Sequence, residues 1–188
     1  KQVFINGQPR KVLITNTNLN QNYDDRKISS LEPLNRGDVV EWNGKKFMII
    51  SEVNDERYYK YKAIMRHLPL QIVVNHDCQF IPVDCWIETQ NLSVSDGQVI
   101  DFEDGKIRIY TQDNEQTQKI KVDDRFILKQ QAFKIVGVDR FSRQGELIII
   151  CEKDLINSSD DLQNEIAGGL ACPITITNPE PINIYQGE

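Results

Sequence analysis

Histidine is nearly missing from this chain. Its 188 residues include two, His67 and His76, which leaves little for metal clusters or for acid–base sites built on imidazole. Cysteine is also sparse, with Cys78, Cys85, Cys151 and Cys172. A secreted disulfide scaffold is shorter and richer in cysteine. No apolar run approaches the roughly 18–20 residues that span a bilayer as a helix. Basic charge is in deficit, with 22 Lys and Arg against 28 Asp and Glu for a net charge of −6, which argues against a broad phosphate-binding surface. No specific nucleic-acid site and no membrane partner are expected. Lys1-Gln2-Val3 has neither an initiator Met nor the apolar core of a signal peptide, and reads as a trimmed or processed end. With 39% hydrophobic and 27% charged residues, the composition is that of a globular protein with room for one large or two small domains.

Catalytic signatures are missing too. There is no Gly-rich phosphate loop, no G-x-S-x-G elbow and no H-E-x-x-H helix. His67, His76, Cys78 and Cys85 are the available zinc donors, but they lack the paired two-residue spacing of fingers and ribbons. In an extended strand His76 and Cys78 share a face, yet no oxyanion site or orienting partner accompanies them as a Cys-His pair. Cys78 and Cys85 flank "QFIPVD" and can meet across a turn as a disulfide; free thiols are the alternative. Cys151 ends the run "ELIIICE" and reads as a buried thiol. Asp24-Asp25, Asp123-Asp124 and Asp160-Asp161 are each adjacent in sequence and read as caps or solvated positions. The chain is expected to be no enzyme and to need neither cofactor nor metal.

What the sequence does have is strand alternation. "KVLITN" (11–16), "DVVEW" and "KKFMIISEV" about Asn43-Gly44, "ERYYKYKAIMRH" (56–67) and "LQIVV" (70–74) alternate or run apolar. Asn-Gly between two such runs is a strong hairpin signal, because both residues tolerate positive φ. The second half follows suit, with "QVIDFEDGKIRIYTQ" (98–112) about Asp104-Gly105, "DRFILKQQAFKIVGVDR" (124–140) and "GELIIICEKDL" (145–155). Only "SSDDLQNEIAGGLA" (158–171) has a helical flavour, about two turns, with Ser159 or Asp160 as N-cap and Gly168-Gly169 at its end. The fold class is all-β, with two small meander-type barrels or sandwiches. The first domain is placed at 1–90, with a long polar arm near 15–33. The second lies at 91–169, the two meeting near 88–96. Residues 170–188 form a linker or the first strand of a further domain.

Arg36-Gly37-Asp38 is the tripeptide of integrin ligands. An internal echo argues for another role. Shifting the segment that starts at Asn35 by 86 residues puts Asp38 on Asp124, Phe47 on Phe133, Ile49 on Ile135 and "AIM" (63–65) on "IIC" (149–151). The Asp survives the shift and the Arg-Gly does not, so the tripeptide reads as the chemistry of a strand start. Gly37 eases a bend and Asp38 satisfies nearby N–H groups.

In "RYYKYKAIMR", alternation puts Tyr59, Tyr61, Ala63 and Met65 on the core side, and Tyr58, Lys60, Lys62, Ile64 and Arg66 on a basic outer face. A single-stranded nucleic-acid platform is the competing reading. The half-buried strand is favoured, with an outer face suited to an acidic protein. Together with the polar arm, this gives Asn18, Asn20, Tyr23, Lys60, Lys62 and Arg66 as candidate partner contacts.

"LNRGDVVEWNGKKFMIISEVNDERYYKYKAIMRH" and "DGKIRIYTQDNEQTQKIKVDDRFILKQQAFKIVGVDRFSRQGELIIICEKDLINSSDDLQNEIAGG" resemble a structural protein of tailed bacteriophages and prophages of Gram-positive bacteria, over roughly residues 24–169. The resemblance implies a virion protein of the neck or head–tail connection, where small β-barrels assemble into rings. Its partners would be portal, capsid or tail components and further copies of itself. Its location would be the virion, and the host cytoplasm during assembly. An immunoglobulin-like module would follow, for which "ACPITITNPEPINIYQGE" (171–188) fits as a start. The family carries over no catalytic residues. A surface-binding β module for glycan or protein is the alternative, and exposed aromatics lining a groove would favour it.

Overall fold

A computed structural model of the chain describes residues 1–17, 23–54, 59–89 and 106–172. The described residues are almost entirely strand and turn, with a single 3-10 turn at Thr117–Lys119 and no α-helix.

The first barrel contains β1 (Gln2–Ile5), β2 (Gln8–Asn16), β3 (Asp25–Ser30), β4 (Val39–Trp42), β5 (Lys45–Ile49) and β6 (Tyr61–His67). All pairings are antiparallel, and the sheet closes in the order β1-β2-β3-β6-β5-β4. Alternation sends Val3, Ile5, Val12, Ile28, Val40, Phe47, Ile49, Ala63 and Met65 inward as one core. Asn6-Gly7 and Asn43-Gly44 turn the two hairpins with positive φ at every position (48, 77, 50 and 71°), the left-handed pair that matches strand twist.

The second barrel contains β7 (Leu70–His76), β8 (Gln79–Thr89), β9 (Ile107–Gln112), β10 (Arg125–Leu128), β11 (Gln131–Asp139) and β12 (Glu146–Asp154). It closes as β7-β8-β9-β12-β11-β10, the strand order of the first. Ile72, Val74, Ile81, Val83, Ile109, Phe126, Phe133, Ile135, Leu147 and Ile149 fill it, with Cys85 and Cys151 buried among them as free thiols. Burial pushes both thiols up to about 12, so neither forms a thiolate readily.

The echo is a structural repeat. The 86-residue shift carries β4 (39–42) onto β10 (125–128), and the Asn43-Gly44 turn onto Lys129-Gln130, also at positive φ. It preserves hydrogen bonds as well. Asp38 Oδ2 accepts from the Asn35 amide at 2.8 Å, and Asp124 Oδ2 from the Lys121 amide at 2.8 Å. The Gly37 amide donates to Ile49 O at 2.8 Å, and the Asp123 amide to Ile135 O at 2.9 Å.

Several expectations are corrected. The sheets divide between His67 and Leu70, not near 88–96: β7 and β8 belong to the second barrel. The linker is only Leu68-Pro69, too short to stand out by composition. The polar stretch from Thr15 is largely not an arm, because Asp25–Ser30 is a central strand with Ile28 wholly buried. Strand β8 carries Pro82, which is tolerated because Gln79–Cys85 pairs with β7 alone among the described residues. The hairpin placed at Asp104-Gly105 falls outside the described residues on its first side, and β9 pairs instead with β8 and β12.

No helix forms at 158–171. Glu165 and Gly168 take positive φ (55 and 64°), and Asp161 and Ile166 exchange both backbone hydrogen bonds at 2.9 Å. Asp160 is held instead by Arg125 (3.0 Å) and the Asn157 and Gly168 amides (2.8 and 2.7 Å). Ala167 then covers Ile127 and Ala132 on the outside of the second barrel. Cys78 pairs with Cys172, 94 residues away, and not with Cys85, which faces the core. The disulfide fastens the end of this segment to the β7–β8 turn; residues 173–188 lie outside the described residues.

Because it closes a long loop, this disulfide restricts the unfolded chain strongly, with an upper limit of roughly 4–5 kcal/mol. Reductant and Cys172→Ser should each lower the melting temperature by several degrees in a thermal scan. The two effects should not add, and Cys85 and Cys151 should resist thiol reagents until the barrel unfolds.

Candidate functional site

Arg36-Gly37-Asp38 is spent inside the molecule. Asp38 is buried and accepts from Asn6 Nδ2 at 2.8 Å as well as from the Asn35 amide. Arg36 donates to Ile50 O at 3.1 Å and pairs with Glu52 at 2.8 Å and with Glu146 of the second barrel at 3.6 Å. Gly37, at φ +87°, lies flat against the β11–β12 loop. A Cβ there would come within 2.1 Å of Gly145 O, and one on Gly145 within 2.2 Å of Arg36 O. Two glycines thus let the barrels touch backbone to backbone.

Around this contact the barrels are joined through Met48, Leu68, Trp86 and Tyr110, all buried, with Tyr23, Val39, Ile50 and Ile148 packed against them. Trp86 and Tyr110 stack with centroids 4.9 Å apart. Arg66 runs through the middle. It grips Asp25 in a two-pronged pair at 2.9 and 3.0 Å, lies over the Tyr23 ring at 3.7 Å, and reaches Glu88 across the interface at 3.5 Å. Burial works against its charge, but Asp25 outweighs it and holds the guanidinium more firmly protonated than usual. Burial likewise raises Glu88, but hydrogen bonds from Tyr23 (2.9 Å), Tyr110 and Trp86, together with Arg66, hold its carboxyl below the ordinary range. Lys46 adds a pair to Asp84 at 2.5 Å. Glu146 is fully buried, and this burial pushes its carboxyl up in spite of Arg143 and Arg36.

The surface left open is the outer face of β2, β3 and β6. Register places Leu13, Ser29 and Lys62 in one row, and Thr15, Lys27 and Ile64 in the next. Lys11 and Lys60 extend the basic edge, and Leu13 and Leu31 are exposed by 62 and 75%. Lys11, Lys27, Lys60 and Lys62 form no ion pair among the described residues. A shallow groove runs over this face, and no described aromatic ring lines it.

The candidate contacts therefore part company. Lys60 and Lys62 are on the open face. Tyr23 and Arg66 are inside the inter-barrel joint, because the second barrel covers that end of β6. Asn18 and Asn20 lie outside the described residues. Tyr59 is not a core residue: β6 starts at Tyr61, and Tyr59 sits in the preceding turn at φ +54° and 96% exposed. The zinc candidates do not converge. Cys78 is in the disulfide, Cys85 is in the core, His76 holds Asp124 at 2.9 Å, and His67 packs on Phe47. Residues that alternation did not single out make the joint: Trp86, Glu88, Gly145 and Glu146. A clue was there in "WIE", an aromatic and an acid on the same side of a strand.

Two outcomes follow. Gly37→Ala must shift backbone, whereas Gly44→Ala, with nothing within 4 Å, pays only the left-handed cost of roughly 1–2 kcal/mol. Urea unfolding should show Gly37→Ala as the clearly more damaging of the two. Glu88, held below its usual value of 4.5, contributes stability above that pH and loses it as the pH falls through its folded value. Wild-type melting temperature should thus drop on acidification below about 4.5; Glu88→Gln should be less stable at neutral pH and show a smaller drop.

The family model for the YomX N-terminal domain matches residues 1–67, the span of the first barrel. The model for the YomX C-terminal domain matches residues 40–152, from β4 through most of β12. No curated protein and no solved structure matches the chain. Carried across more than half its length by the second of these models, the chain belongs to the YomX family and is phage-associated.

Proposed function

We propose that this chain is a non-enzymatic assembly subunit of a tailed-phage particle, working through protein–protein contact at the neck or head–tail connection. One observation carries the reading. The described ion-pair and hydrogen-bond clusters fasten barrel to barrel or strand to strand, while four lysines and two exposed leucines share an open sheet face. A face of that composition suits an acidic protein surface, since apolar contact supplies affinity and unpaired charge supplies steering and register. The family match adds a phage setting. The alternative of a glycan-binding module needs aromatic platforms in a groove, and among the described residues the exposed rings Phe4, Tyr59 and Phe141 do not line this one.

The test is to purify particles from an induced lysogen and examine them by mass spectrometry and cryo-electron microscopy. The chain should be a stoichiometric component with its first barrel at a protein–protein contact. Lys60→Glu with Lys62→Glu should leave the fold intact and reduce completed particles, more severely at low ionic strength, where the reversed charges repel an acidic partner unscreened, than at high. Absence of the chain from purified particles overturns the reading, as does normal particle yield from the double variant.

A further inference from the structure

Because the barrels share one strand order, each surface of one has a counterpart on the other. Cross-strand pairing matches the row Leu13–Ser29–Lys62 to Trp86–Tyr110–Ile148, and Thr15–Lys27–Ile64 to Glu88–Arg108–Ile150. In the second barrel the first of these rows is buried beneath the first barrel. In the first barrel the same face is open, with Leu13 62% exposed.

Charge tells what fits there. Residues 1–67 hold twelve Lys and Arg against eight Asp and Glu, a net +4; residues 68–188 hold ten against twenty, a net −10. Inside the molecule the first barrel supplies the bases, Arg36, Lys46 and Arg66, to acids of the second, Glu146, Asp84 and Glu88. On the unused counterparts the signs are exchanged at three of these six positions, while Arg36, Lys46 and Glu88 fall on the neutral Val122, Ala132 and Thr15. The counterparts of Glu146 and Asp84 are Lys60 and Lys11. Those of Gly37 and Arg66 are Asp123, 74% exposed, and Glu152. Asp123 and Glu152 flank Lys134, to which Asp123 is bonded at 2.7 Å.

We infer that the open β2–β3–β6 face is a docking site for a second copy of this chain, which presents the acidic Asp123–Glu152 surface of its second barrel. The contact is not a replica of the internal joint, because Ala167 already covers Ile127 and Ala132 on the presenting barrel. It uses the same receiving face and the end of the presenting barrel left uncovered. Two different surfaces meet, so the association is heterologous: each dimer keeps one free face of each kind, and growth ends in a ring if the rotation closes. The inference rests on the fold and its charges alone, so absence from phage particles would refute the assembly role and leave this contact standing.

Sedimentation of the purified chain across a concentration series, at low and high salt, tests it. Mass should rise with concentration at low salt and fall back with added salt. Lys27→Glu with Lys62→Glu should be monomeric, and so should Asp123→Lys with Glu152→Lys, each with a native circular dichroism spectrum. An equimolar mixture of the two should associate again, because each keeps one intact face. A monomer at every concentration at low salt overturns the inference. So does association untouched by either pair, or a mixture that stays monomeric. A monomeric wild type that captures only a different acidic protein overturns the choice of occupant.

Discussion

Arg66 is the group on which the rest of the arrangement depends. It is 15% exposed, and it leaves its own barrel to stand between Tyr23 and Trp86 with Asp25 on one side and Glu88 on the other. A guanidinium this far from water is tolerable only when its donors are met and a carboxylate is at hand. Asp25 meets the planar fork two-pronged, so the pair is directional, and it fixes where the ring of Tyr23 must lie. Tyr23 in turn donates to Glu88, which closes a circuit across the joint. Removing the charge would strand a carboxylate on each barrel, so each part of the circuit constrains the others. The apolar patch of Met48, Leu68, Trp86 and Tyr110 supplies burial, and the circuit supplies orientation.

Gly37 and Gly145 make that circuit reachable. A side chain at either position would collide with the backbone facing it, so the barrels could not approach this closely. The tripeptide that resembles an adhesion signal is thus three separate devices. Its arginine pairs across the joint, its glycine permits the approach, and its aspartate pins the strand start. Only the last is needed in both barrels, which is why the echo keeps Asp124 and replaces the other two by Val122 and Asp123.

How much of this was legible follows the same logic. The repeat was visible because an inward aromatic, a two-residue turn and an Asp that bonds the amide three residues back are all local requirements, set at fixed spacing. The class followed from alternation. Strand β3 was hidden because "DRKISS" shows one apolar residue in six, enough for a strand flanked on both sides but not for a pattern. Strand β8 was hidden by Pro82. The division between barrels is not legible, because the two residues Leu68-Pro69 suffice to carry the chain from one barrel to the next, while the polar stretch after Glu88 has the composition of a linker. Alternation puts Lys62 and Arg66 on one face correctly, but whether that face meets water or another barrel is a tertiary matter. Nothing local distinguishes them. The Cys78–Cys172 pairing is beyond local reading for the same reason, with 94 residues between its ends.

The shared strand order of the two barrels accounts for the face of the first barrel that is left over. Within the chain, the second barrel receives its neighbour on β8–β9–β12, and the first presents the residues around β4 and β5 together with the end of β6. In a tandem pair one receiving face and one presenting face are consumed internally, and one of each remains. On the presenting side the segment 155–172 covers part of what remains, held there by Arg125, Asp160 and the disulfide. On the receiving side no described residue plays that part, and the surface is basic and mixed with leucine where the second barrel carries stacked aromatic rings. Lysine is an effective way to keep a sheet face soluble without closing it to a partner, since its stem packs while its charge repels identical faces. Two receiving faces would meet with like charges opposed, at a cost that grows as they desolvate. The same lysines therefore disfavour a symmetric dimer through this face and favour an acidic partner surface.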